Sequence, residues 1–222
     1  MNPLDLAAFL VHWSGLGAGA GAEQAHAALR AAWDEPHRAY HTSAHLAACL
    51  AGFAEVAAGL AEPHAVALAL WYHDAVYDPT RADNEAASAA LAAAHLGAAG
   101  APPAAIARVV ALIDATRHDA TPADADACAL VDIDLGILGA SAERYARYED
   151  EVRREYAWVP EPAFHAGRAA ILRGFLARPR IYATDTFARL EAPARANLAG
   201  AIAQLAGGAP DPASPGHSGR TR

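Results

Sequence analysis

Apolar residues recur along most of this chain at the 3- and 4-residue spacing of α-helices. Between positions 40 and 60, one helical face carries an apolar stripe formed by Leu46, Leu50, Phe53 and Val56. The segment AVALALWYHDAVY, residues 65–77, is apolar nearly all round, which is typical of a helix in the centre of a bundle. Similar patterns, bounded by Pro, Gly and capping residues, predict helices over residues 3–13, 22–33, 40–60, 63–77, 84–96, 102–118, 127–138, 141–156, 162–177 and 185–205.

These patterns also predict the fold class and the domain organisation. Strand-like alternation is limited to a fragment around Ile181 and Tyr182, so we predict an all-α, single-domain helical bundle. From Gly207 the chain reads GGAPDPASPGHSGRTR, which has no apolar residue large enough to anchor it. We therefore predict a helical domain over residues 1–206 and a disordered C-terminal tail over residues 207–222.

The composition limits the classes of molecule that this protein is expected to bind. Hydrophobic residues make up 54% of the 222 residues and charged residues 19%, which indicates a globular chain with a core. The formal net charge of -8 argues against a general nucleic-acid binder. Because the sequence contains no lysine, any recognition of phosphate would depend on arginine side chains or on backbone N–H groups.

Neither a targeting signal nor a disulfide is predicted. The N-terminal segment has no basic region before its apolar residues, and the longest uncharged window, residues 86–107, is interrupted by Gly and Pro. We therefore expect a cytoplasmic protein without a membrane span. Cys49 and Cys128 both lie among alanines, which predicts two buried, reduced thiols.

Histidine and aspartate residues interrupt three of the predicted apolar helices. His73 and Asp74 lie within the run at residues 65–77, where a buried carboxylate needs a partner. His45 lies on the preceding predicted helix, one turn after His41, and Asp134 lies on a later one. A divalent metal ion (Mn, Fe, Co, Ni, Zn or Mg) would be an efficient partner for imidazole and carboxylate groups together. The pattern therefore predicts a metal site formed by two histidines and two carboxylates.

The order of these residues resembles that of the HD superfamily of metal-dependent phosphohydrolases. The strings YHTSAH, WYHDAVYDP, DNE, DIDLGILG and EYAWVP together resemble one bacterial subgroup of predicted metal-dependent HD phosphohydrolases, over residues 33–198. The resemblance implies an HD-type helical fold. It also implies that the metal ligands are His45, His73, Asp74 and an aspartate of the string DIDL. Because this aspartate often precedes a leucine in HD proteins, the resemblance favours Asp134 over Asp132.

The resemblance also implies a reaction, in which metal-activated water hydrolyses a small phosphate ester, with a nucleotide as one candidate substrate. Asp74 would orient that water or accept its proton. His41 matches the proton-donor histidine of a similar YHNxxH string in cyclic-nucleotide phosphodiesterases, although Thr42 replaces the asparagine of that string. His41 would then protonate the leaving oxygen.

Several further residues are candidates for the site. His118 would be a ligand of a second metal ion or a contact to the substrate, and the alternative is a histidine that only stabilises the end of its helix. Arg38 is a candidate contact to phosphate, together with Arg153, Arg154 and Arg173. The candidates for the pocket mouth, or for hydrogen bonds to ligand histidines, are Asp78, Asp83, Asn84 and Glu85, for which ordinary turn and cap roles are the alternative.

Two other functions are compatible with the same site. A non-catalytic HD bundle would bind a nucleotide as a sensor, and a di-iron HD protein would be an oxygenase with additional histidines around its metals. The sequence leaves open the substrate, the number and identity of the metal ions, and the oligomeric state.

Overall fold

The computed structural model describes residues 3–119, 122 and 124–207, and these residues form helices connected by turns. The α-helices are α1 Leu6–Gly15, α2 Ala22–Trp33, α3 Ser43–Val56, α4 Pro63–Tyr72, α5 Asn84–Ala98, α6 Pro103–Ala115, α7 Ala125–Asp134, α8 Ala142–Glu155, α9 Glu161–Ala177 and α10 Glu191–Gly207. Short 3-10 helices lie at Ala57–Gly59, Leu135–Gly139 and Ala188–Leu190. No strand occurs in the described ranges, so the predicted all-α fold class is confirmed. Of the predicted tail, Gly207 is the last residue of α10, and residues 208–222 lie outside the described residues.

Helix α4 is the central element of the bundle. Every residue from Ala65 to Tyr72 is buried, and the helix packs against α1, α3, α5, α6 and α7. The apolar character of this helix on all sides follows from that position, because no face of it meets solvent. The largest buried side chains of the core are three tryptophans, of which Trp71 belongs to α4, Trp13 to α1 and Trp33 to α2. Among the described residues, no helix is both long and apolar enough to span a bilayer.

The predicted helix over 63–77 is five residues too long. Helix α4 ends at Tyr72, and residues 74–77 form a turn. Side chains from elsewhere satisfy the backbone of this turn: Arg38 donates to the carbonyls of Asp74 (2.7 Å) and Ala75 (3.0 Å), and the Ser88 hydroxyl accepts from Val76 N–H (3.0 Å). The apolar pattern continues through the turn because its side chains are also packed inside. His73 and Asp74 therefore lie at the end of the helix and not within it.

The predicted helix over 40–60 also starts too early. Thr42 is the N-cap of α3, and its hydroxyl accepts from Ala44 N–H, so the helix begins at Ser43. His41 therefore precedes the helix that carries His45, and the expected one-turn spacing on a shared helix is wrong. Because Tyr40 and His41 lie in a turn, their backbone N–H groups are available to other partners.

Gly139 determines how closely the end of the α7 segment approaches the C-terminal part of the chain. A Cβ atom at this position would lie 2.5 Å from Leu190 Cβ and 2.9 Å from the Leu190 carbonyl oxygen. Only glycine allows this contact without movement of the backbone. The close packing holds the 3-10 helix Leu135–Gly139 against α10 and so fixes the position of Asp134, which directly precedes it.

Candidate metal centre

Three buried helix ends bring together His45, His73 and Asp134. His45 lies in the first turn of α3, His73 is the C-cap of α4, and Asp134 is the last residue of α7. The two Nε2 atoms lie 3.2 Å apart, and Asp134 Oδ1 lies 3.3 Å from His45 Nε2 and 3.5 Å from His73 Nε2. Two imidazole nitrogens that face each other at this distance need a proton or a cation between them, because otherwise both present lone pairs.

Asp74 completes the predicted set of four. Its Oδ2 atom lies 3.2 Å from His73 Nε2 and 4.0 Å from His45 Nε2. Although His73 and Asp74 are consecutive, both side chains reach the same point because the chain leaves the helix between them. The structure therefore places all four sequence-predicted ligands in one cluster.

The separations within the cluster fit a single divalent ion. Two N or O ligands about 2.1 Å from a shared ion lie about 3.0 Å apart at a right angle, about 3.4 Å apart at the tetrahedral angle and about 4.2 Å apart across the ion. The distances of the His45 and His73 Nε2 atoms from each other and from the carboxylate oxygens of Asp74 and Asp134 range from 3.2 to 4.0 Å. Two imidazoles and two carboxylates are also a donor set that first-row divalent ions accept.

The His73 ring is oriented for ligation by a bond on its other nitrogen. His73 Nδ1 lies 2.8 Å from the Leu70 carbonyl oxygen, which can only accept, so Nδ1 carries the proton. This bond leaves Nε2 directed at the cluster, as in histidines that bind metals. Trp33 packs against the rings of both His73 and His45, at centroid distances of 5.4 and 6.1 Å. The Trp33 indole is itself held by a bond of 3.0 Å to the Trp71 carbonyl.

The charge state of the cluster favours a cation. Burial would raise the pKa of the Asp74 and Asp134 carboxyl groups, but the adjacent histidines hold both pKa values well below the ordinary range. Burial lowers the pKa of His45, with Asp134 and Asp74 opposing. Burial also lowers the pKa of His73, but the effect of the two carboxylates is larger and raises this pKa well above 6.5. Two ionised carboxylates thus face two imidazoles, and a divalent ion would replace the proton that now compensates them.

His118 contacts the other oxygen of Asp134. Its Nε2 atom lies 3.0 Å from Asp134 Oδ2, whereas Oδ1 faces His45 and His73. The backbone of His118 has a φ of 59°, and Arg178 donates to its carbonyl at 2.7 Å, which turns the ring towards the cleft after α6 has ended. Its Nδ1 atom is buried and has no hydrogen-bond partner among the described residues. One carboxylate thus links the predicted ligands to His118.

His41 lies beside the cluster and is held by Glu155. Glu155 Oε2 lies 2.7 Å from His41 Nδ1, so the ionised carboxylate accepts the Nδ1 proton, and His41 Nε2 lies 3.9 Å from Asp74 Oδ2. Glu155 Oε1 accepts from the backbone N–H groups of Ala39, Tyr40 and His41 at 2.7, 2.8 and 3.0 Å. The Tyr77 hydroxyl donates to Oε2 at 2.8 Å, and its ring stacks on His41. Burial would raise the pKa of Glu155, but these bonds lower it from 4.5 to about 2.

Sequence reasoning missed Glu155, although a signal for it exists. The buried positions of α8 are Tyr145, Tyr148, Val152 and Glu155, which recur every three or four residues. A glutamate therefore occupies the apolar stripe of a helix whose other face is highly charged. A carboxylate in that position needs buried donors, and here it receives five hydrogen bonds.

Arg38 supports the backbone of the site. Besides the carbonyls of Asp74 and Ala75, its guanidinium donates to the His41 carbonyl (3.1 Å) and to Glu35 (3.1 Å). The side chain is fully buried, so the expectation of a phosphate contact is wrong for this residue. It contacts the backbone of two predicted site residues instead.

Of the remaining candidates, Asn84 and Glu85 line the cleft and the others lie outside it. Asp132 faces away from the cluster, because its carboxylate accepts from Ala183 N–H, Thr184 N–H and the Thr184 hydroxyl at 2.6–2.8 Å. Asn84 and Glu85 line the cleft, and Asn84 also bonds to the backbone N–H and carbonyl of Asp78. The side chains of Asp78 and Asp83 make turn and ion-pair contacts with Thr80 and Arg81 respectively. Arg153 donates to the carbonyls of Tyr156 and Val159, and Arg154 and Arg173 are exposed outside the cleft.

The cluster lies at the bottom of an open cleft of about 410 Å³. Its floor contains His41, Asp74, His118 and Asp134, and its walls carry the arginines Arg81, Arg117 and Arg168 together with the apolar residues Ile137, Ile171 and Phe175. A small molecule that enters the cleft would meet carboxylates and imidazoles below, guanidinium groups beside them and an apolar wall. This combination suits a ligand with an anionic end and an apolar or aromatic body.

Cys49 is buried in the hydrophobic core as predicted, and it also contacts His45. Its Sγ atom lies 3.6 Å from His45 Nε2 and 3.8 Å from His45 Nδ1. Burial, with contributions from Asp134 and Asp74, raises the pKa of this thiol well above its ordinary value. Cys128 is half-buried and lies away from the cluster, where its thiol donates to the Pro122 carbonyl at 3.0 Å.

No protein-family model, curated protein or solved structure matches the chain. What is established for the site is therefore its geometry: a buried group of histidine, cysteine and aspartate side chains that could hold a metal ion.

Proposed function

We propose that the protein is a metal-dependent phosphohydrolase of the HD type that cleaves a small phosphate ester or nucleotide. The observation that carries the proposal is that the Nε2 atoms of His45 and His73 lie 3.2–4.0 Å from each other and from carboxylate oxygens of Asp74 and Asp134, at the floor of a cleft with arginines in its walls. A divalent ion held by these four residues would supply Lewis acidity and lower the pKa of a bound water from about 16 towards 7.

In the proposed reaction, Asp74 orients the attacking water or accepts its proton. Its Oδ2 faces the ligand His73 on one side and His41 on the other, at 3.2 and 3.9 Å. Its low pKa keeps the carboxylate ionised at neutral pH, so it can accept a hydrogen bond from water and orient the oxygen towards phosphorus. Asp74 thus serves both as a ligand and as the group that orients the nucleophile.

His41 is the candidate general acid. Glu155 fixes the Nδ1 proton, which leaves Nε2 as the atom that faces the cleft beside Asp74. To act as the general acid, the ring must also carry a proton on Nε2. A leaving alkoxide next to Nε2 would take this proton, and the ring would recover one from solvent, since its side chain is 21% exposed.

The cleft walls supply charge for the phosphoryl group. Arg117 lines the cleft, and its Nε bonds to Asp119, with both side chains exposed. Its terminal nitrogens can therefore turn to the oxygens of a bound phosphate. Arg168 is more constrained, because it forms a two-pronged ion pair with Glu149 at 2.9 Å for both contacts. We assign phosphate contact to Arg117 and support of the cleft wall to Arg168.

The test combines metal analysis with phosphate release. The protein is purified without chelator, its bound metal is measured by elemental analysis, and nucleotides and simple phosphate esters are screened with added Mn, Co, Ni or Mg. Asp74→Asn is the test variant, and Asp185→Asn, at a fully exposed aspartate, is the matched control. We expect metal and phosphate release in the wild type and the control, and loss of phosphate release in Asp74→Asn.

Two other outcomes would contradict the proposal. Metal binding without release of phosphate from any substrate would favour the nucleotide sensor or the di-iron oxygenase, which nucleotide binding and iron content under anaerobic purification would separate. A protein that binds no divalent ion under any of these conditions would rule out the metal site itself.

A further inference from the structure

Tyr40 is a nearly buried tyrosine beside the metal cluster. It lies in the turn between α2 and α3, directly before the proposed general acid His41, and only 6% of the residue is exposed. Its ring packs against the rings of His41 and His45 at centroid distances of 4.9 and 4.7 Å, and against the Tyr148 ring at 4.5 Å. The Tyr40 ring therefore contacts both a proposed metal ligand and the proposed general acid.

The hydroxyl group of Tyr40 has no hydrogen-bond partner in the part of the chain that the structure describes. Four other tyrosine hydroxyls do bond to the protein, namely those of Tyr72, Tyr77, Tyr145 and Tyr182. The Tyr40 oxygen is also not one of the fully buried polar atoms that lack a partner, and the residue lines the cleft. This oxygen is therefore accessible from the cleft, where a ligand can bond to it.

The surroundings of Tyr40 keep the proton on this oxygen. Burial raises the pKa of the phenol well above 10, and the nearby Asp134 carboxylate adds to the increase. At neutral pH the group is therefore a hydroxyl, which can donate a hydrogen bond to an anion and adds no charge of its own.

We propose that the Tyr40 hydroxyl donates a hydrogen bond to a phosphoryl oxygen of the substrate and is a further catalytic residue of this site. The inference rests on the proposed phosphohydrolase function and adds a neutral donor to it. The proton stays on the tyrosine throughout, so this role differs from that of His41, which gives its proton to the leaving oxygen.

Contacts on several sides hold the Tyr40 ring in one position. Glu155 Oε1 accepts from the backbone N–H of Tyr40 at 2.8 Å, and the Arg144 guanidinium lies over the ring at 5.8 Å from its centroid. A donor that is already fixed loses little conformational freedom when a ligand binds. Arg117 differs in this respect, because its exposed side chain must be ordered to reach the phosphate.

Tyr182 offers a matched control, because its hydroxyl has a partner in the protein. It donates to the Leu135 carbonyl at 3.0 Å, the residue is fully buried, and it does not line the cleft. Replacement by phenylalanine removes the same oxygen atom from Tyr40 and from Tyr182. Only Tyr182→Phe breaks a hydrogen bond of the fold, so the two variants should differ in opposite ways in stability and in ligand binding.

The experiment uses inorganic phosphate as the probe. The wild type, Tyr40→Phe and Tyr182→Phe are loaded with Mn²⁺, phosphate binding is measured by calorimetry, and unfolding is measured in urea. We expect phosphate to bind about ten- to a hundredfold more weakly to Tyr40→Phe, because a hydrogen bond to a charged group is lost, and to bind Tyr182→Phe as it binds the wild type. The urea midpoint should fall in Tyr182→Phe and stay at the wild-type value in Tyr40→Phe, and both variants should keep their bound metal.

Three results would overturn this inference. Equal phosphate affinity of the wild type and Tyr40→Phe would remove the role of the hydroxyl and leave the phosphohydrolase function intact. A lower urea midpoint of Tyr40→Phe, or its failure to fold, would show that the hydroxyl serves the fold instead. If the Mn²⁺-loaded wild type neither binds phosphate nor releases it from any ester, the proposed function and this inference fail together.

Discussion

Replacing Glu155 by glutamine tests how the structure positions His41. The amide of Glu155→Gln keeps one oxygen for the backbone N–H groups of residues 39–41. Its NH2 group then faces His41 Nδ1 and the Tyr77 hydroxyl, both of which donate to the carboxylate in the wild type. The substitution therefore removes two charge-assisted bonds and places donors against donors.

The size of the effect follows from the pKa of the carboxyl group. Lowering this pKa from 4.5 to about 2 in the folded protein corresponds to about 3 kcal/mol of unfolding free energy. Because the folded-state pKa is the lower one, this contribution is complete above pH 4.5 and is lost as the pH falls towards 2. We therefore expect Glu155→Gln to be about 3 kcal/mol less stable than the wild type at neutral pH, with the difference shrinking in acid.

Urea unfolding at a series of pH values measures this difference, and phosphate release measures its functional result. We expect turnover to fall by a factor of about 10² to 10⁴, the usual contribution of a positioned acid, while the bound metal stays unchanged. The matched control is Glu151→Gln, one turn earlier on α8, where a partly exposed ion pair to Arg144 contributes at most about 1 kcal/mol. Equal stability of the two variants at neutral pH would refute the assignment of Glu155.

Three further predictions concern the ligands, the packing and the backbone. Saturating metal should raise the unfolding free energy of the wild type by about 3 kcal/mol at a hundred times Kd, and Asp134→Asn should show no such gain in thermal melts. Gly139→Ala should destabilise by about 1–3 kcal/mol in urea unfolding, because its Cβ has no room, whereas Gly136→Ala, with open space around it, should stay near the wild type. Arg38→Ala should lower the free energy of unfolding by about 2–4 kcal/mol, because three buried carbonyls lose their hydrogen-bond donor. A decrease of similar size in the exposed control Arg154→Ala would contradict this assignment.

The all-α fold and the positions of the four candidate ligands could be predicted from the hydrophobic pattern, together with the family resemblance that favoured Asp134 over Asp132. Apolar periodicity places the helices, and a histidine or aspartate that interrupts an apolar face marks a site. The pattern could not locate the end of α4, since buried apolar residues continue into the turn after Tyr72. That end depends on donors from Arg38, which lies 36 residues before Asp74 along the chain.

The contacts of Glu155 and Cys49 with the site could not be predicted from sequence spacing. Glu155 is 114 residues from His41, and no local pattern relates the two before the chain folds. Cys49 has the right spacing from His45 but reads as an ordinary core residue among alanines. Its contact with the cluster follows from the rotation of α3, which the apolar stripe fixes only approximately.

Four helices reach the site with their C-terminal ends: α4 before His73, α6 before His118, α7 at Asp134 and α8 at Glu155. Each such end carries a partial negative charge of about half an electron from its aligned peptide dipoles, whereas two helices, α3 and α5, present their positive ends to the site and its cleft. The backbone thus adds to the negative potential of the carboxylates and repels an anion. A phosphorylated ligand should therefore bind weakly until a cation is in place. We accordingly expect ordered binding, in which the metal enters first and creates the attraction that holds the phosphate.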